Sequence, residues 1–238
     1  MYKDEELVCA GRALDDRGCV SVTSFISPDV VNAVAAEAIR LADTIAVRRD
    51  LTLAATDSTP RRMWNVTRAR IAEYGTVIPS AYRSSAVIDA VSRIAGEQVF
   101  ACPYEPEQFV ITRLERPEDT HGWHWDDYSF ALVWVAECPP VVDGGFVECV
   151  SHTVWDKHRP DVDGILRDRA VHRLEVGAGE VYLMRTKTTL HRVHPIRRAV
   201  GRHSKFLRSG WFRGIVGADE SWCVPGSGWC WLAAAPCR

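Results

Sequence analysis

Metal-binding side chains crowd into one short segment, His121-Gly122-Trp123-His124-Trp125-Asp126-Asp127-Tyr128. In an extended chain, residues two apart point to the same side, so His124 and Asp126 can aim an imidazole and a carboxylate at one point. A third donor must come from elsewhere. His191, in Thr189-Leu190-His191-Arg192-Val193-His194-Pro195, lies in a strand-like stretch that a barrel can bring alongside. Two imidazoles and a carboxylate on one face leave half of an octahedral sphere open, enough for a chelating ligand and dioxygen. His194 competes with His191 for the third place, or else supports the metal ligands from behind. His152, His158, His172 and His203 have no paired ligand nearby and read as surface or loop residues.

An HxD pair alone has a bland reading, a solvated loop with satisfied hydrogen bonds. Here its setting adds weight. A buried run from Phe130 to Ala136 follows it, then a turn at Asp143-Gly144-Gly145, then the stretch carrying His191.

These residues need a scaffold, and the chain divides in pattern. Ser27-Pro28 opens a helix, because serine caps free amides and proline tolerates the first turn. Val31, Val34, Ala35, Ala38, Ile39, Ala42 and Ile45 then follow at helical spacing. A second helix runs from a Ser84 or Ser85 cap, through Val87, Ile88, Val91 and Ile94, to Gly96 as its stop. Residues 97 to 216 instead offer short apolar runs between turn signals: Gln98 to Ala101, Gln108 to Leu114, Tyr128 to Glu137, Phe146 to Val150, Val181 to Met184 and Lys205 to Ile215. Gly177-Ala178-Gly179 marks a further turn, and Pro117 and Pro139-Pro140 break strands. Helices first and short strands afterwards predict an α+β arrangement, a β-sandwich or double-stranded barrel with supporting N-terminal helices.

A chain of 238 residues suits a single domain over 1–238, with mainly helical support in 1–97, the strand-rich core in 98–216 and a tail in 217–238. A formal charge of −2 with acids and bases interleaved gives no broad basic face, which argues against nucleic acid or an anionic membrane as partner. The charged start and the absence of a long apolar run point to a cytoplasmic protein acting on a small molecule, and a homodimer is allowed. The 8 cysteines are scattered without a CxxC pair and read as reduced thiols. Cys223, Cys230 and Cys237 recur at an interval too long for the usual zinc ligand pairs, so they read as part of the tail. Trp229 and Trp231 pack at an edge or cover a pocket.

His124-Trp125-Asp126, Asp143-Gly144-Gly145, His191-Arg192-Val193-His194-Pro195 and Arg202 together resemble the iron(II)- and 2-oxoglutarate-dependent oxygenase superfamily, over about the C-terminal half of the chain. The resemblance implies a double-stranded β-helix (jelly-roll, cupin-like) core, Fe(II) held by His124, Asp126 and His191, and dioxygen and 2-oxoglutarate as co-substrates. It also implies a basic residue, Arg202, on the far carboxylate of 2-oxoglutarate. Arginine suits that bidentate role, and Arg208 is the competitor because strand register is open. More narrowly, the segment resembles small bacterial oxygenases that hydroxylate or halogenate free amino acids. Glu107, His121 and Asp127 stand at matching substrate-binding positions, with Arg61 or Arg62 for the carboxylate. In halogenating members glycine or alanine replaces the metal carboxylate and vacates a place for chloride. Asp126 fills that place here, so hydroxylation is expected.

Two carboxylates and one arginine favour a zwitterion with a basic side chain, such as lysine, ornithine or arginine. The plainer reading pairs Glu107, Asp127 and Arg61 with protein partners and gives them no substrate role. Trp123, Trp125 and Trp134 read as core. The rivals are a cupin-like dioxygenase or isomerase that does not use 2-oxoglutarate, and a noncatalytic amino-acid-binding protein.

Overall fold

The computed structural model describes residues 4–198 and the backbone of 206–217. Among the described residues, twelve strands form the core and pair antiparallel throughout. One wall runs in the order β1 (Cys19–Ser21), β10 (Glu180–Met184), β7 (Phe130–Glu137), β12 (Phe206–Gly217) and β5 (Val110–Leu114). The other runs β6 (Thr120–His124), β11 (Leu190–Val193), β8 (Val147–Val150) and β9 (His172–Leu174). β3 (Arg61–Val66) joins the walls, pairing with β5 from Trp64 to Val66 and with β6 at Arg61 and Arg62. β2 (Val47–Leu51) lies along β3, and the short β4 (Val99–Phe100) pairs with β12. Neighbours that are far apart in sequence make this the double-stranded β-helix expected from the alternating runs.

Both predicted helices form with the expected buried stripes, but neither Ser27 nor Ser84 makes the side-chain capping hydrogen bond expected of it. Ser27 precedes α2 (Pro28–Ile45), with proline in its first turn, and Val31, Val34, Ala38, Leu41 and Ala42 make the buried stripe. Glu37 interrupts that stripe as a buried acid. Its carboxylate accepts the backbone N–H groups of Thr76, Val77 and Ile78 at 2.7, 3.1 and 2.8 Å, so it caps α4 (Val77–Tyr82) from outside. α5 (Ser85–Ala95) ends at Gly96, whose φ of 71° is the left-handed stop that glycine accepts without strain. α1 (Asp4–Arg17) packs against α5 so closely that a Cβ on Gly11 would sit 2.7 Å from the Ile94 carbonyl oxygen. α3 (Arg68–Tyr74) and α6 (Val162–Asp168) complete the set.

The helices cover the outside of the β10–β7 wall, and alternation along β7 shows how. Phe130, Leu132 and Trp134 join the helical core, whereas Ala131, Val133 and Val135 face Val147, Cys149, Tyr182 and Met184 inside the barrel. A strand buried on both faces reads as a continuous apolar run.

The helical support of residues 1–97 is interleaved with β1, β2 and β3. β2 and β3 carry Arg48-Arg49-Asp50 and Arg61-Arg62, so no apolar alternation announces them. Pairing compensates: Arg48 Nη1 donates to Asp119 Oδ1 at 2.6 Å, and its guanidinium lies 5.9 Å from the Trp64 ring centre. Among the described residues Cys9, Cys19, Cys102, Cys138 and Cys149 are free thiols, and no helix is long and apolar enough to cross a membrane. The cysteines of the tail lie outside the described residues.

Candidate active site

The site begins with an irregularity in β6. His191 on β11 pairs with His124, and Val193 pairs with His121, so a two-residue step on one strand meets a three-residue step on the other. That is a β-bulge. It puts His121 and His124 on the same side, their rings stacked at 3.7 Å between centres. Gly122 lies within the bulge. Its N–H donates to the Pro60 carbonyl at 2.9 Å, and a Cβ there would come within 2.5 Å of the same oxygen.

The Gly122 carbonyl accepts His124 Nδ1–H at 2.6 Å, and the Thr189 carbonyl accepts His191 Nδ1–H at 2.9 Å. With each Nδ1 donating, each Nε2 carries the lone pair, and both turn toward Asp126. Asp126 follows the end of β6, where its N–H donates to the Thr186 carbonyl at 3.3 Å. One carboxylate oxygen lies 3.9 Å from His124 Nε2 and the other 3.9 Å from His191 Nε2. The three donor atoms fall within 4.8 Å of one another, on residues 0%, 5% and 1% exposed in the order His124, Asp126, His191. Burying a carboxylate between two neutral imidazoles is costly without a cation, and this nitrogen and oxygen set suits iron(II).

Arg61, wholly buried, stands opposite His121 across the β3–β6 pair, whereas Arg62 is exposed. Glu107, in the short turn Glu105–Glu107, accepts the Tyr128 hydroxyl at 2.8 Å. Burial above all, reinforced by the neighbouring Cys102 and Glu107, pushes the Tyr128 phenol well up, so it remains a neutral donor. Asp127 is ion-paired with Lys157. The structure thus brings His121, Arg61 and Asp127 into the neighbourhood of the triad, and Tyr128 links Glu107 to the same segment.

His194 is no ligand. Its Nδ1 contacts Glu148 Oε2 at 3.0 Å and its ring stacks on Phe146. Trp123, Trp125 and Trp134 are buried, at 6%, 0% and 2% exposure. His152, His158 and His172 are exposed. Arg202 and His203 lie outside the described residues, and Arg208 sits on β12 with its backbone opposite Thr112 and Val135. Tyr128 and Lys157 also contribute to the site. The Tyr128 hydroxyl stood in the motif itself, but Lys157 lies in a loop with no signal beyond its neighbour Trp155.

Solved structures share this architecture. AviO1 from Streptomyces viridochromogenes Tue57 superposes with a TM-score of 0.62 at 15% identity, over 85% of this chain and 93% of that one. The epimerase SnoN from nogalamycin biosynthesis, in complex with Fe3+, alpha ketoglutarate and nogalamycin RO, gives a TM-score of 0.60 at 14% identity, over 88% and 83% of the two chains. A prolyl-4-hydroxylase of Pseudomonas putida gives 0.52 at 16% identity, over 86% and 97%. At these identities the solved structures show a shared fold, and His124, Asp126 and His191 form a buried group able to hold a metal ion within it. No curated protein matches the chain. The family model for Halogenase D matches residues 2–206, and the chain belongs to that family.

Proposed function

We propose that the protein hydroxylates a free L-amino acid, with iron(II), 2-oxoglutarate and dioxygen. One observation carries the choice of hydroxylation over halogenation: Asp126 supplies a carboxylate between the two Nε2 atoms, 3.9 Å from each. A halide needs that place empty. Bound iron(II) with its co-substrates supplies the oxidising chemistry, converting substrate, 2-oxoglutarate and dioxygen to hydroxylated product, succinate and carbon dioxide.

The chain's own residues hold and orient. The carbonyls of Gly122 and Thr189 fix which nitrogen of His124 and His191 faces the metal. Arg61 offers a fork for the substrate carboxylate, and Glu107, kept in place by the Tyr128 hydroxyl, offers an acceptor for the α-ammonium. His121, stacked on His124, lines the approach. The distal carboxylate of 2-oxoglutarate falls to Arg202, favoured by its spacing from His191, or to Arg208 on β12. Replacing each by Met separates them: the true anchor raises the KM for 2-oxoglutarate far more than the other.

The reading is tested by incubating enzyme with iron(II), ascorbate, 2-oxoglutarate and a panel of free amino acids. Mass spectrometry should show a gain of one oxygen atom matched by succinate, and D126A should lower it by more than roughly 100-fold, the upper range for merely disturbing a ligand's support. A chlorinated product from the wild type, or turnover without 2-oxoglutarate, would count against it.

A further inference from the structure

We infer that Lys157 is the resident counter-ion of Asp127 and restricts the substrate to amino acids whose side chains carry no positive charge, an inference that rests on the free-amino-acid reading above. Taken alone, the carboxylates of Glu107 and Asp127 outnumber the single guanidinium of Arg61 and would favour a basic substrate. The structure changes that count. Lys157 Nζ is seated on Asp127, in a pair whose side chains are 33% and 9% exposed respectively. Asp127 and Lys157 sum to zero. Arg61 and Glu107 then balance the carboxylate and α-ammonium of a zwitterion, and no net negative charge remains to attract a second ammonium.

The position of Lys157 is built. Its ammonium lies 4.7 Å from the centre of the Trp155 ring. Trp155 Nε1 donates to the Ala55 carbonyl at 2.8 Å, and its ring stacks on the wholly buried Trp125 at 5.9 Å and 12°. Trp125 Nε1 donates to Thr153 Oγ1 at 2.8 Å, and the same oxygen accepts the N–H of Leu190, next to the metal ligand His191, at 3.0 Å. The segment carrying Lys157 is thereby fastened both to the residue before Asp126 and to the residue before His191. A lysine or ornithine side chain reaching toward Asp127 meets an ammonium already there. To replace it, the substrate must strip Lys157 of its carboxylate and its aromatic face, exchanging one ion pair for another with no net gain. A side chain of the same length ending in a methyl or a neutral amide meets no such repulsion.

The test compares isosteric pairs that differ in charge, 2-aminoheptanoic acid with lysine, norleucine with ornithine and citrulline with arginine. Binding is measured by calorimetry on the anaerobic enzyme loaded with iron(II) and 2-oxoglutarate, and turnover in air. The wild type should favour the neutral member of each bound pair by at least tenfold. K157Q should shift that ratio by at least tenfold toward the basic member, and K157R, which keeps the charge, should leave it in place. A wild type that prefers the basic member, or a ratio unchanged in K157Q while folding and metal content are intact, overturns the role of Lys157. If no amino acid binds or turns over in any of the three proteins, the amino-acid reading itself is overturned, and the inference with it.

Discussion

On the proposed reading Asp126 decides between two chemistries with one side chain, and its removal is informative. D126G should lower hydroxylation as D126A does, while opening beside His124 and His191 the place that a halide requires. With excess chloride, a trace of chlorinated product is the expected outcome, read by its isotope pattern. Neighbouring positions, still shaped around a carboxylate, keep the yield low. Glu148, behind the site on β8, supports a prediction of a different kind. Burial would push its carboxyl up, but hydrogen bonds from His194 and Arg192, with their charges, outweigh that and hold it below the usual carboxylate range. A lowered folded value means that the ionised form stabilises the fold. That stability is complete above the unfolded value of about 4.3 and is lost as pH falls through the folded one. E148Q should therefore cost about 1 kcal/mol at neutral pH. The gap from wild type should close as pH drops below roughly 4, as urea unfolding at several pH values would show.

The bulge in β6 converts ordinary strand geometry into a candidate metal site, and Gly122 permits it. In G122A the new methyl group meets the Pro60 carbonyl oxygen at 2.5 Å, a backbone contact that no side-chain rotation relieves. Overpacking of this kind costs roughly 1–3 kcal/mol. Displacing the Gly122 carbonyl also loosens the hydrogen bond that orients His124, so metal affinity should fall on the order of 10- to 100-fold. Metal titration of G122A beside a thermal melt checks both; unchanged affinity would show that the bulge adapts. The same element marks how far sequence reading reached. Alternation predicts that His124 and Asp126 share a face because they are two apart on one strand. In the structure they meet because Asp126 lies beyond the strand's end, held by Thr186, while the bulge turns His124. The helix α2 was legible because first-turn proline and apolar stripe agree, α5 because stripe and glycine stop agree, and β7 because its apolar run is long. β2 and β3 were not, since their arginines are stabilised by partners distant in sequence, such as Asp119 for Arg48.

The barrel carries its candidate metal ligands on two stretches, 124–126 and 191, separated by β7 through β10, so no local segment can assemble the triad. The chemistry of the ligands could be read from residue types and order, since donor identity is local. The neutralisation of Asp127 by Lys157 could not, because loop conformation after β8 is set by the Trp125–Trp155 stack and not by any periodic pattern. Long-range assembly makes metal binding a property of the folded chain as a whole. An ion that binds the native state and not the unfolded one stabilises by an amount set by its concentration relative to its dissociation constant, about 2.7 kcal/mol at a hundredfold excess. For a chain of this size each kcal/mol moves the melting temperature by roughly 2–4 °C. Adding iron(II) anaerobically, or redox-silent manganese(II) in air, should therefore raise the Tm by roughly 5–11 °C over protein stripped with a chelator. D126A should lose most of this increment, and H191A likewise, although β7 through β10 separate these two residues in sequence. Arg62, exposed on β3, provides the control: R62A should keep the whole increment. An increment that survives in D126A and H191A together would place the ion elsewhere in the molecule and remove the basis for an oxygenase at this site.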